Sequence, residues 1–345
     1  MPTKIKTIII LGPTSSGKSD LAVKLAEKLK KQTGKESEII SVDSRQIYKD
    51  MDLGTGKVEG VWKYQGKTSV FTYKNIPHHL IDFIDPRSHS QKSTELGRGN
   101  ASTYTTYTVI NFREDALRLI KEISSRGNVP ILCGGTGFWI SAVVDNNVFP
   151  EVKPNEKLRK KLNSKTAEEL FLILKEKDPT RAKNIDPQNK YRLIRALEIC
   201  EKLGKVPTSK SNPPKNIDFL QIGLDYPVEK LAKKIKKRLA SRWTDGMIEE
   251  IKSLKKKYKM DWKEVETFGL AYYWIPRYLQ GKLEDSQGNL ITDPKRAKNE
   301  LLERVYFAEK NYAKRQRTWF KRDKRIIWTT NFKEILKLSK KFLYF

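Results

Sequence analysis

Apolar residues in this chain follow two different periods. In the first 150 positions they come as short continuous runs at 7–11, 38–42, 79–84 and 129–133, the pattern of strands buried on both faces of a parallel sheet. Helical stretches lie between them. Over 19–31, Leu21, Leu25 and Leu29, with Ala22 and Ala26, form one stripe, and 108–126 ends at Gly127, where a C-cap belongs. From 154 to about 203 the pattern changes to short, densely charged amphipathic helices, broken at Asp178-Pro179 and Asp186-Pro187. A linker follows at 204–216, with Gly204, Pro207, Pro213 and Pro214. The run at 219–224 predicts a returning strand, and helices follow at about 227–258 and 294–320, separated by a polar exposed loop at 281–293. The stretch 86–107, rich in Ser, Thr and Gly, reads as a mobile loop.

These elements predict an α/β fold: a parallel sheet with helices on both faces, formed by 1–150 and 217–330. An all-helical insertion is expected at 151–210 and a docked terminal helix at 331–345. There is no internal repeat.

Chemistry enters at the end of the first strand. Residues 8–19 read Ile-Ile-Ile-Leu-Gly-Pro-Thr-Ser-Ser-Gly-Lys-Ser, an apolar strand running into G-x-x-x-x-G-K-[ST] and then a helix, the context that a phosphate-binding loop requires. Gly12 and Gly17 allow the tight turn that points several N–H groups into one concavity, which the following helix N-terminus makes positive. Lys18 adds a mobile charge for a terminal phosphate, and the Ser19 hydroxyl is placed to hold Mg²⁺. The motif leaves open which phosphate compound binds.

Charge narrows the partner. The chain of 345 residues carries 69 Lys and Arg against 41 Asp and Glu, a net +28. Residues 1–150 hold 21 basic and 15 acidic side chains, leaving 48 and 26 for the remainder. This asymmetry, with 10% aromatic residues, points to a polyanion held mainly by the C-terminal half. A generally Lys-rich composition is the competing explanation, and lysine runs such as 255–257 read as solvated helix faces. The two cysteines, Cys133 and Cys200, exclude a disulfide framework and suit a reducing compartment. The first seven residues are too short and polar for a signal peptide, and no apolar run approaches membrane-spanning length. A cytoplasmic protein is expected.

Asp43 follows the second strand, at the carboxyl end of a parallel sheet where open α/β folds place their sites. It suits a Mg²⁺ ligand, a general base, or simply a cap for the next helix. Asp52 to Lys57 and Gly134 to Gly137 are further glycine-containing turns, the second opening on the same rim. His78 and His79 lack partners at metal-ligand spacing and read as structural. Arg192 and Arg195 share a helix face, as do Arg238 and Arg242. Tyr312 to Phe320 interleaves basic and aromatic residues, a composition suited to RNA but equally to a solvated helix.

Taken together, these segments resemble the tRNA dimethylallyltransferase (tRNA isopentenyltransferase) family over about residues 5–328. The strings that carry the resemblance are Gly12 to Ser19, Asp43-Ser44-Arg45-Gln46 through Thr55, His78-His79-Leu80-Ile81-Asp82, Gly134-Gly135-Thr136-Gly137, Arg192 to Glu198 and Tyr312 to Phe320. The resemblance implies a P-loop NTPase-like fold whose helical insertion binds RNA. It implies transfer of a dimethylallyl group from dimethylallyl diphosphate to the N6 amine of the adenosine 3′ of the anticodon, in tRNAs reading U-initial codons. Gly12, Pro13, Thr14, Ser15, Ser16, Gly17, Lys18 and Ser19 would then hold the diphosphate, with Mg²⁺ on Ser19. Asp43 would act as general base, and Thr14 and Arg238 would stabilise the leaving group. Asp43, Ser44, Arg45, Gln46, Thr136, Arg159, Lys190, Arg192 and Arg195 match positions that contact the anticodon stem-loop. The simplest assembly is one RNA per monomer.

The sequence departs from that family in places. Arg242 and Trp243 stand where Met and an aliphatic residue are usual, and Gly269-Leu270-Ala271 replaces Gly-Tyr-Lys. The segments 86–107 and 283–295 are longer than usual. Two other classes stay open on the residues alone: a P-loop nucleoside triphosphatase or small-molecule kinase, and a non-catalytic RNA-binding protein.

Overall fold

A computed structural model describes residues 4–65, 68–89, 107–208 and 211–344. The chain divides into two compact units, 1–144 with 214–345, and 145–213.

The larger unit begins β1 (Ile5–Leu11), α1 (Lys18–Thr33), β2 (Ser37–Val42), β3 (Val61–Gln65), β4 (Thr68–Tyr73), β5 (Ile76–His79), α2 (Val109–Ser125), β6 (Val129–Gly134) and α3 (Gly137–Val144). The smaller unit supplies α4 (Glu156–Asn163), α5 (Ala167–Lys177), α6 (Pro179–Ala182) and α7 (Lys190–Leu203). The chain then returns through β7 (Ile217–Gly223), α8 (Val228–Thr244), α9 (Met247–Lys257), α10 (Trp262–Glu266), α11 (Ala271–Leu279), α12 (Pro294–Phe320), β8 (Ile327–Trp328) and α13 (Phe332–Tyr344).

The sheet order is β3-β4-β5-β2-β6-β1-β7-β8. From β5 to β8 all neighbours are parallel, and only the β3–β4 and β4–β5 pairs at one edge are antiparallel. Alternation along β1 divides the core. Ile8 and Ile10 pack with Leu25 and Leu29 of α1 and Ile335 of α13, whereas Ile9 and Leu11 pack with Phe112 and Ile120 of α2. Both faces are thus covered by helices, as continuous apolar runs require. The terminal segment is a docked helix whose Phe332 ring lies 4.3 Å from the Lys24 ammonium.

One expectation fails on this side of the sheet, and one element was not expected. The apolar run at 79–84 is not a strand: β5 ends at His79, and Leu80 and Asp82 take left-handed φ of 54° and 56°. The turn sends Phe83 and Ile84 to donate to the Ile47 carbonyl rather than to pair with β2. The β3–β4 hairpin was not anticipated, because this edge exposes apolar residues such as Val61 and Tyr64 and so lacks a buried run. The predicted loop at 86–107 lies largely outside the described residues; its first four residues form a 3₁₀ turn.

In the smaller unit, Leu170, Leu174, Leu193 and Leu197 form the core. The Asp-Pro break predicted at 178 is a helix start: Asp178 accepts from the Arg181 N–H at 2.9 Å and Pro179 occupies the first turn. Among the described residues, no helix is long and apolar enough to cross a membrane.

His78 and Glu38 give the larger unit an acid sensitivity. The His78 ring is buried beside the Ile76 carbonyl, and burial pushes its pKa down to about 4. Burial alone would raise the Glu38 carboxyl, but hydrogen bonds from His79, Asn128 and Arg126 outweigh it and take it to about 2. Both folded-state values lie below the unfolded ones, so both contributions are present at neutral pH and are lost on acidification. Denaturant unfolding should show stability falling first as pH drops from about 6.5 to 4, by up to about 3 kcal/mol for His78. Glu38 adds a further loss from about 4.5 downward. Replacing His78 with Asn should flatten the upper window.

Candidate active site

The glycine-rich loop leaves β1 at the carboxyl edge of the sheet and enters α1 through Gly17, the N-cap residue, whose φ of 83° is left-handed. Ser15 is also left-handed, at 60°. Lys18 folds back so that Nζ donates to the Pro13 carbonyl at 3.2 Å. The Ser15 and Ser16 hydroxyls are buried and make no hydrogen bond among the described residues. The loop is anchored from the far end of the chain: Gln316 of α12 accepts from the Thr14 N–H and donates to the Gly135 carbonyl, each at 2.8 Å. A Cβ on Gly135 would sit 2.3 Å from the Gln316 amide nitrogen and displace this anchor.

Asp43 follows β2. Its Oδ1 accepts from the N–H groups of Arg45 at 2.9 Å and Gln46 at 3.3 Å, which fixes the turn, while Oδ2 makes no hydrogen bond among the described residues. Thr136 accepts from the Ser44 N–H at 3.1 Å and ties this turn to β6. Asp43, Ser44, Arg45 and Gln46 line one cavity of about 710 Å³ together with Thr14, Ser15, Gly17, Lys18 and Ser19 of the phosphate loop; Gly12, Pro13 and Ser16 are not part of its wall.

The opposite wall is the turn 52–57. The Glu250 carboxylate of α9 accepts from the N–H groups of Asp52, Leu53 and Gly54 at 2.9, 2.6 and 2.9 Å, and from the Tyr272 hydroxyl at 2.7 Å. Two arginines one turn apart on α8 bind the carbonyls. Arg242 donates to those of Leu53 and Gly54 at 3.1 and 3.3 Å, and Arg238 to that of Gly56 at 2.6 Å. The other Arg238 nitrogen lies 3.5 Å from the Thr14 hydroxyl. Arg242 also forms an ion pair with Glu309 of α12, both side chains being buried. A Cβ on Gly56 would meet the Arg238 guanidinium at 1.7 Å.

The cavity brings two half-buried cations, Lys18 and Arg238, onto its wall. Burial, with Arg238 adding to it, lowers the Lys18 pKa, and burial followed by Arg242 lowers that of Arg238. Crowded, partly dehydrated cations carry a cost that an entering anion relieves. Above them, burial and the Asp43 charge raise the Tyr312 phenol, and Arg45 lies 5.8 Å from the Phe268 ring.

Thr14, Ser15, Gly17, Lys18, Ser19, Asp43 and Arg238 therefore share this cavity, as the sequence suggested. Gln46 has its side chain occupied: its amide donates to the Gly56 carbonyl at 3.1 Å. In the smaller unit, Arg159 and Arg195 both hold the buried carboxylate of Glu198, at 2.7 and 3.2 Å, and Arg195 also donates to the Val152 carbonyl. Lys190 donates to the Asn163 carbonyl at 2.7 Å. Arg192 is exposed on α7 and its side chain makes no ion pair among the described residues. Glu250, Glu309 and Tyr272 were missed in the sequence. Their motif-free segments carry no signal, and only Gln316 lay within a recognised string.

The family model described as IPP transferase matches residues 99–323. The chain belongs to this family. It is 35% identical over 325 residues to "tRNA dimethylallyltransferase 1" of Syntrophus aciditrophicus (strain SB), covering 93% of this chain and 92% of that protein. The crystal structure of the full-length tRNA isopentenylpyrophosphate transferase of Bacillus halodurans is similar with a TM-score of 0.61 and 29% identity, over 99% of this chain and 96% of that one. A eukaryotic dimethylallyltransferase captured acting on tRNA gives a TM-score of 0.63 at 25% identity, over 91% and 69% of the two chains.

The Arg242–Glu309 pair is a structural tie behind the turn 52–57. Replacing Arg242 with Met leaves a buried carboxylate unpaired and should cost about 3–5 kcal/mol in chemical denaturation. The double variant R242M/E309L should recover most of that loss, as buried pairs replaced by apolar groups do.

Proposed function

We propose that the cavity joins a prenyl diphosphate to an RNA adenine. The protein is a prenyl-group transferase of the tRNA dimethylallyltransferase type, moving a dimethylallyl group to the N6 amine of the adenosine 3′ of the anticodon in tRNAs reading U-initial codons. The observation that carries the detailed reading is that Asp43, whose Oδ2 accepts no hydrogen bond among the described residues, lines the same cavity as Lys18 of the phosphate loop and Arg238.

In this reading the phosphate-loop N–H groups, Lys18 and the Ser15 hydroxyl bind the diphosphate. Asp43 Oδ2 accepts a hydrogen bond from the adenine amine and turns its lone pair toward the allylic carbon. The N6–C1 bond forms as the C1–O bond to the diphosphate breaks, and the amine proton passes to Asp43. Charge gathers on the departing oxygens, where Lys18, Thr14 and Arg238 are already fixed. Arg238 is held by Gly56, so little reorganisation accompanies the step.

Oxygen donors at the loop fit a hard cation: the Ser19 hydroxyl lines the cavity with Asp20 and Asp43. Among the described residues no cluster of three metal-ligating side chains occurs. Mg²⁺ held there would keep waters and substrate phosphates as its other ligands. Bound there, it would neutralise diphosphate charge.

An RNA partner agrees with the net charge of +28 and with Arg192 exposed on α7. A small-molecule kinase has no need of that charge. The protein is read as cytoplasmic and monomeric.

With a purified anticodon stem-loop and dimethylallyl diphosphate, D43A should lower the transfer rate about 10²- to 10⁴-fold, the range for a lost general base. Pyrophosphate binding should be kept. Full transfer by D43A would remove the base assignment.

A further inference from the structure

Three basic residues of α8, Lys234, Arg238 and Arg242, stand four positions apart and line the cavity together. That spacing puts them on one face, about 6 Å from one to the next along the axis. Their charges are used differently. Arg242 is neutralised by Glu309, and Arg238 is bonded to the Gly56 carbonyl and lies by the Thr14 hydroxyl. Lys234 meets no carboxylate among the described residues; its ammonium lies over the ring of Tyr226, 3.9 Å from the centroid.

Tyr226 is placed for this. It follows β7, whose next residue, Leu224, donates to the Leu11 carbonyl at 2.9 Å just before the phosphate loop. Its ring packs against Leu231 and Ile235 of α8 and Ala313 of α12. A cation over an aromatic face is held without a counter-charge, whereas a phosphate oxygen offers it a charge-assisted hydrogen bond. Lys230 shares the same ring at 5.2 Å but is exposed and is not part of the cavity wall.

We propose that Lys234 is a further ligand of the diphosphate, kept on Tyr226 in the free protein and transferred to the outer phosphate oxygens when the cavity fills. It would extend the row formed by Lys18 and Arg238 toward the mouth of the cavity and stabilise the same oxygens as they gain charge. The proposal rests on the diphosphate reading of this site, but not on what accepts the prenyl group.

Calorimetric titration with inorganic pyrophosphate tests it directly. K234A should weaken binding about 10- to 100-fold, the size of one charge-assisted hydrogen bond, with K234R recovering most of the loss. K230A should change it less than about twofold, which separates a specific contact from general loss of charge. In transfer assays K234A should also lower kcat at saturating RNA. Pyrophosphate affinity in K234A equal to that of the unaltered protein, with unchanged thermal unfolding, overturns the proposal. Loss of pyrophosphate affinity in a protein that prenylates no RNA would leave Lys234 in place and overturn the transferase reading instead.

Discussion

The geometry of the site depends on a backbone turn gripped from both electrical sides. Residues 52–57 present their N–H groups to Glu250 and their carbonyls to Arg238 and Arg242. The turn closes on itself through the Gly56 N–H to the Leu53 carbonyl and the Lys57 N–H to the Asp52 carbonyl, and a buried polar group left unsatisfied would cost about 1–3 kcal/mol. Helices distant in sequence supply partners for the Asp52, Leu53 and Gly54 N–H groups and for the Leu53, Gly54 and Gly56 carbonyls. The same bonds aim Arg238 at Thr14, so holding the wall and orienting the clamp are one event.

The two arginines show how a charge becomes structural or functional according to its surroundings. Arg242 is matched by Glu309 and spends its remaining donors on the turn. Arg238 hydrogen-bonds only neutral oxygens, and burial with the neighbouring Arg242 charge lowers its pKa although carboxylates nearby oppose this. With Lys18 beside it, this wall is complementary to an anion. In the transfer proposed above, that complementarity would be greatest for the departing diphosphate as the C–O bond breaks.

Much of this could be read in the sequence because it lies in local patterns. The phosphate loop announces itself through Gly12, Gly17, Lys18 and Ser19, and Asp43 follows from being next after a buried strand. The helix at 294–320 matches α12 residue for residue, since Asp293 caps it and Pro294 starts it. What could not be read is pairing across long separations. Glu250 meets Asp52 nearly 200 positions away, and Gln316 spans 302 positions to Thr14. The same limit hid the partner of Arg159 and Arg195, because nothing local marks Glu198 as the buried carboxylate that holds both. It also hid the meaning of Arg242, which looked like a departure until Glu309 appeared opposite it. The false strand at 79–84 has another cause: apolar content does not reveal the left-handed turns at Leu80 and Asp82.

The central claim is that one cavity brings a prenyl diphosphate and an adenine amine together. The most direct measurement is mass spectrometry of nucleosides from an unmodified tRNA that reads a U-initial codon, incubated with the purified protein and dimethylallyl diphosphate. The account predicts a dimethylallyl group on N6 of the adenosine 3′ of the anticodon and stoichiometric pyrophosphate. An unmodified adenosine, with phosphate released from ATP instead, would contradict it.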